Sequence, residues 1–195
     1  MISRKPVILF DADDVLENLL ECWVKLLNRR YGTSVEPEDV HSWNVNEAFP
    51  SLTREQVYEL LVEDELWESL SPIPGSQKIL NKLHEEKFEI YIVTATDYRN
   101  CRVKFDRLKE MFPFIDDKHL IVAHNKQMVI GDILVDDNPV NLVGGTYYGI
   151  LFDRPHNRTF DTKGSGMIRV HNFDEVYAAI KYRACQFDLL PKKKE

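Results

Sequence analysis

The chain has 195 residues, of which 44% are hydrophobic and 29% charged, with a net charge of −7. That length can bury one sizeable core plus a small insert, and the composition is that of an ordinary globular protein. The acidic balance argues against general nucleic-acid binding, which depends on a basic footprint, and no apolar run is long enough to span a bilayer.

Residues 6–10 read as a buried strand that runs straight into Asp11-Ala12-Asp13-Asp14. Leu16 to Tyr31 has apolar residues at helical spacing, and Gly32 is a natural stop. Residues 33–52 look irregular. Thr53 with Gln56 forms a capping box ahead of a second helical face at Val57, Leu60 and Leu61. Pro72-Ile73-Pro74-Gly75 is a break, followed by a helix through Ile79, Leu80 and Leu83. Phe88 to Val93 is the second strand, ending at Thr94-Ala95-Thr96. A helix over 99–112, short strands at Leu120–Val122 and Ile133–Val135, and a fifth strand at Tyr148–Phe152 come next. Residues 153–167 read as a solvated loop, Arg154, His156, Asn157 and Arg158 included. Phe173 to Tyr182 is a closing helix, and Lys192-Lys193-Lys194 a frayed tail.

Strands alternating with helices in the second half predict a parallel sheet with βαβ crossovers. Residues 11–87 separate the first two strands, too many for one crossover unit of ~30 residues. The expected organisation is therefore a core strand and loop over 1–16, a helical insert over 17–71, and the rest of the core over 72–195. Residues 1–6 lack the apolar stretch of a secretory signal. Cys22, Cys101 and Cys185 are widely spaced and suit reduced thiols. Both features make the cytoplasm the expected compartment.

Chemistry concentrates where apolar runs end in carboxylates. Open α/β sheets place ligands at such strand ends. Asp11 could attack phosphorus, and Asp13, two residues on, could move protons to and from the reacting oxygens. Asp136 and Asp137 follow Ile133-Leu134-Val135 in the same way. Carboxylates gathered at one edge call for a hard cation such as Mg²⁺, which takes oxygen ligands and often a phosphate. The Thr94 hydroxyl and the backbone N–H groups around it, that of Ala95 among them, suit phosphate oxygens. Lys126, ten residues before Asp136, supplies a point charge. The remaining histidines form no ligand pattern, and Cys101 reads as a packing residue.

Together, Asp11-Ala12-Asp13, Thr94, Lys126 and Asp136-Asp137 resemble the four motifs of the haloacid dehalogenase-like phosphatases. The stretches Leu70–Gly75, Asn125-Lys126-Gln127 and Gly131–Asp137 are similar to those of 5′(3′)-deoxyribonucleotidases and their bacterial relatives. The resemblance implies an α/β fold: a Rossmann-like three-layer core with a central parallel sheet and a small helical cap inserted after the first strand. It implies Asp11 as nucleophile and Asp13 as acid/base. Mg²⁺ would be held by Asp11, the Asp13 carbonyl and Asp136, with Asp137 in support. It further implies a small nucleotide substrate whose base faces the Leu66-Trp67 region, and it admits a homodimer. Among the cap residues Trp43, Phe49, Leu66 and Trp67, the alternative is that the aromatics form the cap's own small core, which is the reading for Phe49 and stays open for Trp67. Two departures stand out. Asp14 replaces the usual glycine, and Ala95 the frequent serine. A sugar phosphate is the alternative substrate. A receiver-type phospho-acceptor domain is disfavoured because no strand-ending aspartate lies between the first strand and Thr94. A dehalogenase of the same fold would need neither Asp13 nor a metal.

Overall fold

Each apolar run identified above is a strand of one parallel sheet. In the computed structural model, which describes residues 5–186, the strands of that sheet are β1 (Val7–Phe10), β2 (Glu89–Thr94), β3 (Leu120–Val122), β4 (Ile133–Asp136), β5 (Tyr148–Phe152) and one more, β6 (Ile168–Val170). Their order is β3-β2-β1-β4-β5-β6, with every neighbouring pair parallel. Strands β1 and β4 are central and buried on both faces, so they carry near-continuous aliphatic residues. The sixth strand was not anticipated. Its three residues include Arg169, whose guanidinium bonds Asp153, Asn157 and Phe160 instead of facing water. The lysines at 192–194 lie outside the described residues.

One face of the sheet packs against α4 (Ser76–Glu85), α5 (Cys101–Met111) and α6 (Phe173–Gln186) through a cluster that includes Phe10, Ile92, Leu80, Leu108 and Ile180. The other face, carrying Leu9, Val93, Leu134 and Leu151, is covered by Leu142 and Tyr147 from connecting segments.

Between β1 and β2 the chain forms α1 (Leu19–Tyr31), α2 (Arg54–Tyr58) and α3 (Asp64–Ser69), with short 3₁₀ turns around them. These pack on a cluster of their own, in which Trp23, Leu27, Phe49, Leu60 and Leu66 are buried. Phe49 is fully enclosed there. The capping box at Thr53 forms, with Thr53 Oγ1 accepting from Gln56 N and Gln56 Oε1 accepting from Thr53 N.

Helix α1 starts three residues later than its periodicity predicts, at Leu19 rather than Leu16. The reason is a tight loop after β1. Ala12 O accepts from both Leu16 N and Glu17 N, and Asp14 sits at φ 55°. That left-handed position favours glycine and tolerates aspartate, which accounts for the residue found there. The Asp14 carboxylate accepts from Leu20 N at 2.9 Å and so serves the first turn of α1. The outgoing and returning connections run side by side, joined by Ile73 N to Leu16 O and Asn18 N to Ser71 O.

Candidate active site

Register brings the strand-end residues together. Phe10 pairs with Val135 and with Ile92, so Asp11, Asp136 and Thr94 emerge at one edge on three adjacent strands. Lys126, from a 3₁₀ turn before β4, inserts between the carboxylates. Its Nζ lies 2.7 Å from Asp11 Oδ1 and 2.7 Å from Asp136 Oδ2. Asp11 Oδ1 also accepts from Ala12 N. Asp136 accepts from Asn138 N and from the Asn141 side chain. Asp11, Asp136 and Asp137 each offer an oxygen within 4.8 Å of the others, and all three are buried.

Crowding shows in the protonation of these groups. Burial pushes the Asp11 carboxyl well above the usual range; Lys126 pulls against this, while Asp136, Asp13 and Asp137 add to it. Burial likewise raises Asp136, again opposed by Lys126. The Lys126 ammonium is held charged by its two acids despite burial that works the other way. Asp14 is lifted to about 7, first by burial and then by Asp137. A hard divalent cation would relieve this concentration of anionic oxygen, and an all-oxygen donor set is the one Mg²⁺ takes. The Thr94 hydroxyl is buried without a hydrogen-bond partner, as is that of Thr96 beside it. Ala95 lines the cavity above.

Asp13 does not share the oxygen cluster through its side chain. Both its carboxylate oxygens lie 2.6 Å from Nζ of Lys104, a fully buried lysine of α5. Lys104 also stands 3.7 Å from Glu17 Oε1 and 4.6 Å above the Trp67 ring. Neither Lys104 nor Glu17 was singled out in the sequence. The available signal was that Lys104 falls on the buried stripe of α5 with Leu108 and Met111.

A cavity of about 330 Å³ opens over the cluster. Asp11, Asp13, Lys126 and Asp137 form its floor, and Leu20, Trp23, Trp43, Tyr58 and Leu61 its apolar wall. Trp67, expected at this wall, is not among the lining residues. It is buried in the helical cluster, its Nε1 donating to Leu61 O, because Lys104 and the packing of α3 hold its ring inward. Trp43, half exposed, takes that place.

The loop after β5 also departs from its reading as solvated. His156 Nε2 lies 2.8 Å from Asp137 Oδ2, and both side chains are nearly inaccessible. Asn157 is buried, its Nδ2 donating to Asp137 O and Phe152 O, and Arg154 Nε donates to Asp14 O. A polar run between strands reads as solvent-facing only until its long-range partners are known. Arg158, by contrast, is half exposed and pairs with Glu38 and Asp153.

Comparison with known proteins agrees with this geometry. A family described as "5′ nucleotidase, deoxy (Pyrimidine), cytosolic type C protein" matches residues 5–187. The chain is similar to the 5′(3′)-deoxyribonucleotidase of Clostridium acetobutylicum, 37% identical over 156 residues, covering 80% of this chain and 86% of that protein. It is also similar to the 5′(3′)-deoxyribonucleotidase of Bacillus subtilis, 35% identical over 174 residues, covering 88% and 96%. Among solved structures, a haloacid dehalogenase family hydrolase from Deinococcus radiodurans, with bound phosphate and sodium, superposes with a TM-score of 0.60 at 14% identity, covering 98% of this chain and 100% of that one. A haloacid dehalogenase-like hydrolase from Streptococcus pneumoniae gives 0.58 at 16%, covering 92% and 100%. These two likenesses establish the fold, an α/β Rossmann-like sheet of the haloacid dehalogenase hydrolase type. With a matching family that spans nearly all of it and relatives above 30% identity over most of their length, the chain belongs to the cytosolic type C 5′-deoxynucleotidase family.

Proposed function

We propose that the protein is a Mg²⁺-dependent phosphomonoesterase that hydrolyses nucleoside monophosphates, deoxyribonucleotides foremost, through an aspartyl-phosphate. The observation that carries this reading is the join of two unlike surfaces. An acidic floor pinned by Lys126 lies beneath an apolar wall with three aromatic rings. A phosphate ester of a flat, apolar-faced group fits both.

Asp11 Oδ attacks phosphorus, and the ester P–O bond breaks with its electron pair going to the leaving oxygen. Asp13 gives that oxygen a proton. Water then attacks the aspartyl-phosphate while Asp13 takes a proton from it; the Asp11–phosphorus bond breaks, and inorganic phosphate and both carboxyl groups are restored. Lys126 neutralises Asp11 and Asp136 and is placed to hold a phosphate oxygen. Thr94 Oγ1, buried and unbonded, offers a donor on the same edge. Asp11, Asp136 and Asp137, with the Asp13 carbonyl, would hold Mg²⁺, which supplies charge neutralisation to the transferred group. The helical segment over 17–71 acts as a cap that provides the wall for the base, with Trp43, Trp23 and Tyr58 in contact.

Phosphate release from a panel of deoxyribo- and ribonucleotides, run beside small sugar phosphates, tests this. Turnover is expected to require Mg²⁺ and to vanish in Asp11→Asn. Activity that persists in excess chelator refutes the metal-dependent scheme. Turnover of sugar phosphates alone refutes the nucleotide assignment.

A further inference from the structure

Asp137 is held from two sides by the segment that follows β5. Its carboxylate Oδ2 meets His156 Nε2 at 2.8 Å, and its carbonyl accepts from Asn157 Nδ2 at 2.7 Å. The imidazole is not a surface group that happens to be nearby. Its side chain is 6% exposed, and that of Asp137 5%. Trp43 stands edge-on to the ring, with centroids 4.6 Å apart at 79°. The segment itself is fixed, since Asn157 also donates to Phe152 O and Arg169 bonds both oxygens of Asn157.

A carboxylate has two oxygens, and a buried one that is free to rotate presents neither reliably. Binding Oδ2 to an imidazole N–H fixes the carboxylate plane. The cluster with Asp11 and Asp136 requires such a fixed plane, because oxygens of three buried acids must converge within 4.8 Å. Outer hydrogen bonds of this kind typically change cation affinity by about 10- to 100-fold.

We propose that His156 is a positioning residue for the divalent-cation site, acting through Asp137, with Trp43 packed against its ring to hold it there. The inference rests on the proposed cation site and deepens it. It also makes the cavity wall and the cation site neighbours through one imidazole, so loss of the Trp43 ring loosens the cation as well.

The test measures Mn²⁺ and Mg²⁺ binding by isothermal titration calorimetry on the unliganded protein, beside turnover as a function of Mg²⁺. His156→Ala is expected to weaken cation binding about 10- to 100-fold. His156→Gln, whose amide N–H can reach the same oxygen, is expected to stay within about threefold of the wild type. Turnover of His156→Ala should recover as Mg²⁺ is raised, which damage to the fold or to the chemical step would not allow. Circular dichroism establishes that each variant is folded, and the glutamine variant keeps the test open if the alanine variant is not. Unchanged affinity in His156→Ala, or equal loss in both variants, overturns the positioning role while the cation site stands. A wild type that binds neither ion removes the cation site and this role together.

Discussion

Trp43→Ala separates a nucleotide site from a general phosphate-ester site. The indole lines the cavity yet is 54% exposed, so its removal should cost the fold little. A base stacked on an aromatic side chain contributes about 1–3 kcal/mol. At 1.4 kcal/mol per factor of ten, that is a loss of roughly 5- to 150-fold in kcat/KM for a nucleoside monophosphate. A small ester without an aromatic ring reaches the floor but not the wall, so kcat/KM for ribose 5-phosphate or glycerol 3-phosphate should change by less than about twofold. The assay is phosphate release at saturating Mg²⁺, which removes any contribution from a loosened His156. Equal losses on large and small esters, or no loss on nucleotides, would refute the assignment of this wall to the base.

Two further outcomes follow from the buried charges. Lys126→Met leaves Asp11 and Asp136 enclosed without their shared ammonium; breaking such a buried pair typically costs about 3–5 kcal/mol, so we expect a lowered melting temperature, partly restored by Mg²⁺, and no turnover. Glu17 has neither oxygen in a hydrogen bond, and burial lifts its carboxyl from 4.5 to about 8, with Lys104 opposing and Asp13 adding to the rise. The folded state therefore binds this proton more tightly than the unfolded chain, and stability falls as pH rises between about 4.5 and about 8. The melting-temperature advantage of Glu17→Gln over the wild type should grow across that window, and a constant difference would refute the reasoning.

The strands and the floor of the site were legible because both are written locally. An aliphatic run that stops at a carboxylate states burial and strand end in four or five adjacent residues. Asp11, Thr94 and Asp136 then meet because parallel register leaves little choice. What stayed hidden depends on partners far along the chain. Asp13 finds Lys104 across 91 residues, and Asp137 finds His156 across 19. No spacing rule distinguishes such a lysine or histidine from the many at the surface. Trp67 lies in the helical core and Trp43 at the cavity for a related reason. Periodicity says that a ring is apolar, but the direction in which α3 is turned decides whether it faces a core or a cavity. β6 was missed because three residues with an arginine at the centre carry no strand pattern.

The bonds Ile73 N to Leu16 O and Asn18 N to Ser71 O bring the two ends of the helical head side by side in a narrow stem. Above that join the head is keyed to the rest of the molecule at further points, by Trp43 on His156, Trp67 over Lys104 and Glu38 on Arg158. A different head would have to resupply those contacts, so a change made in the wall is felt at the carboxylates below it.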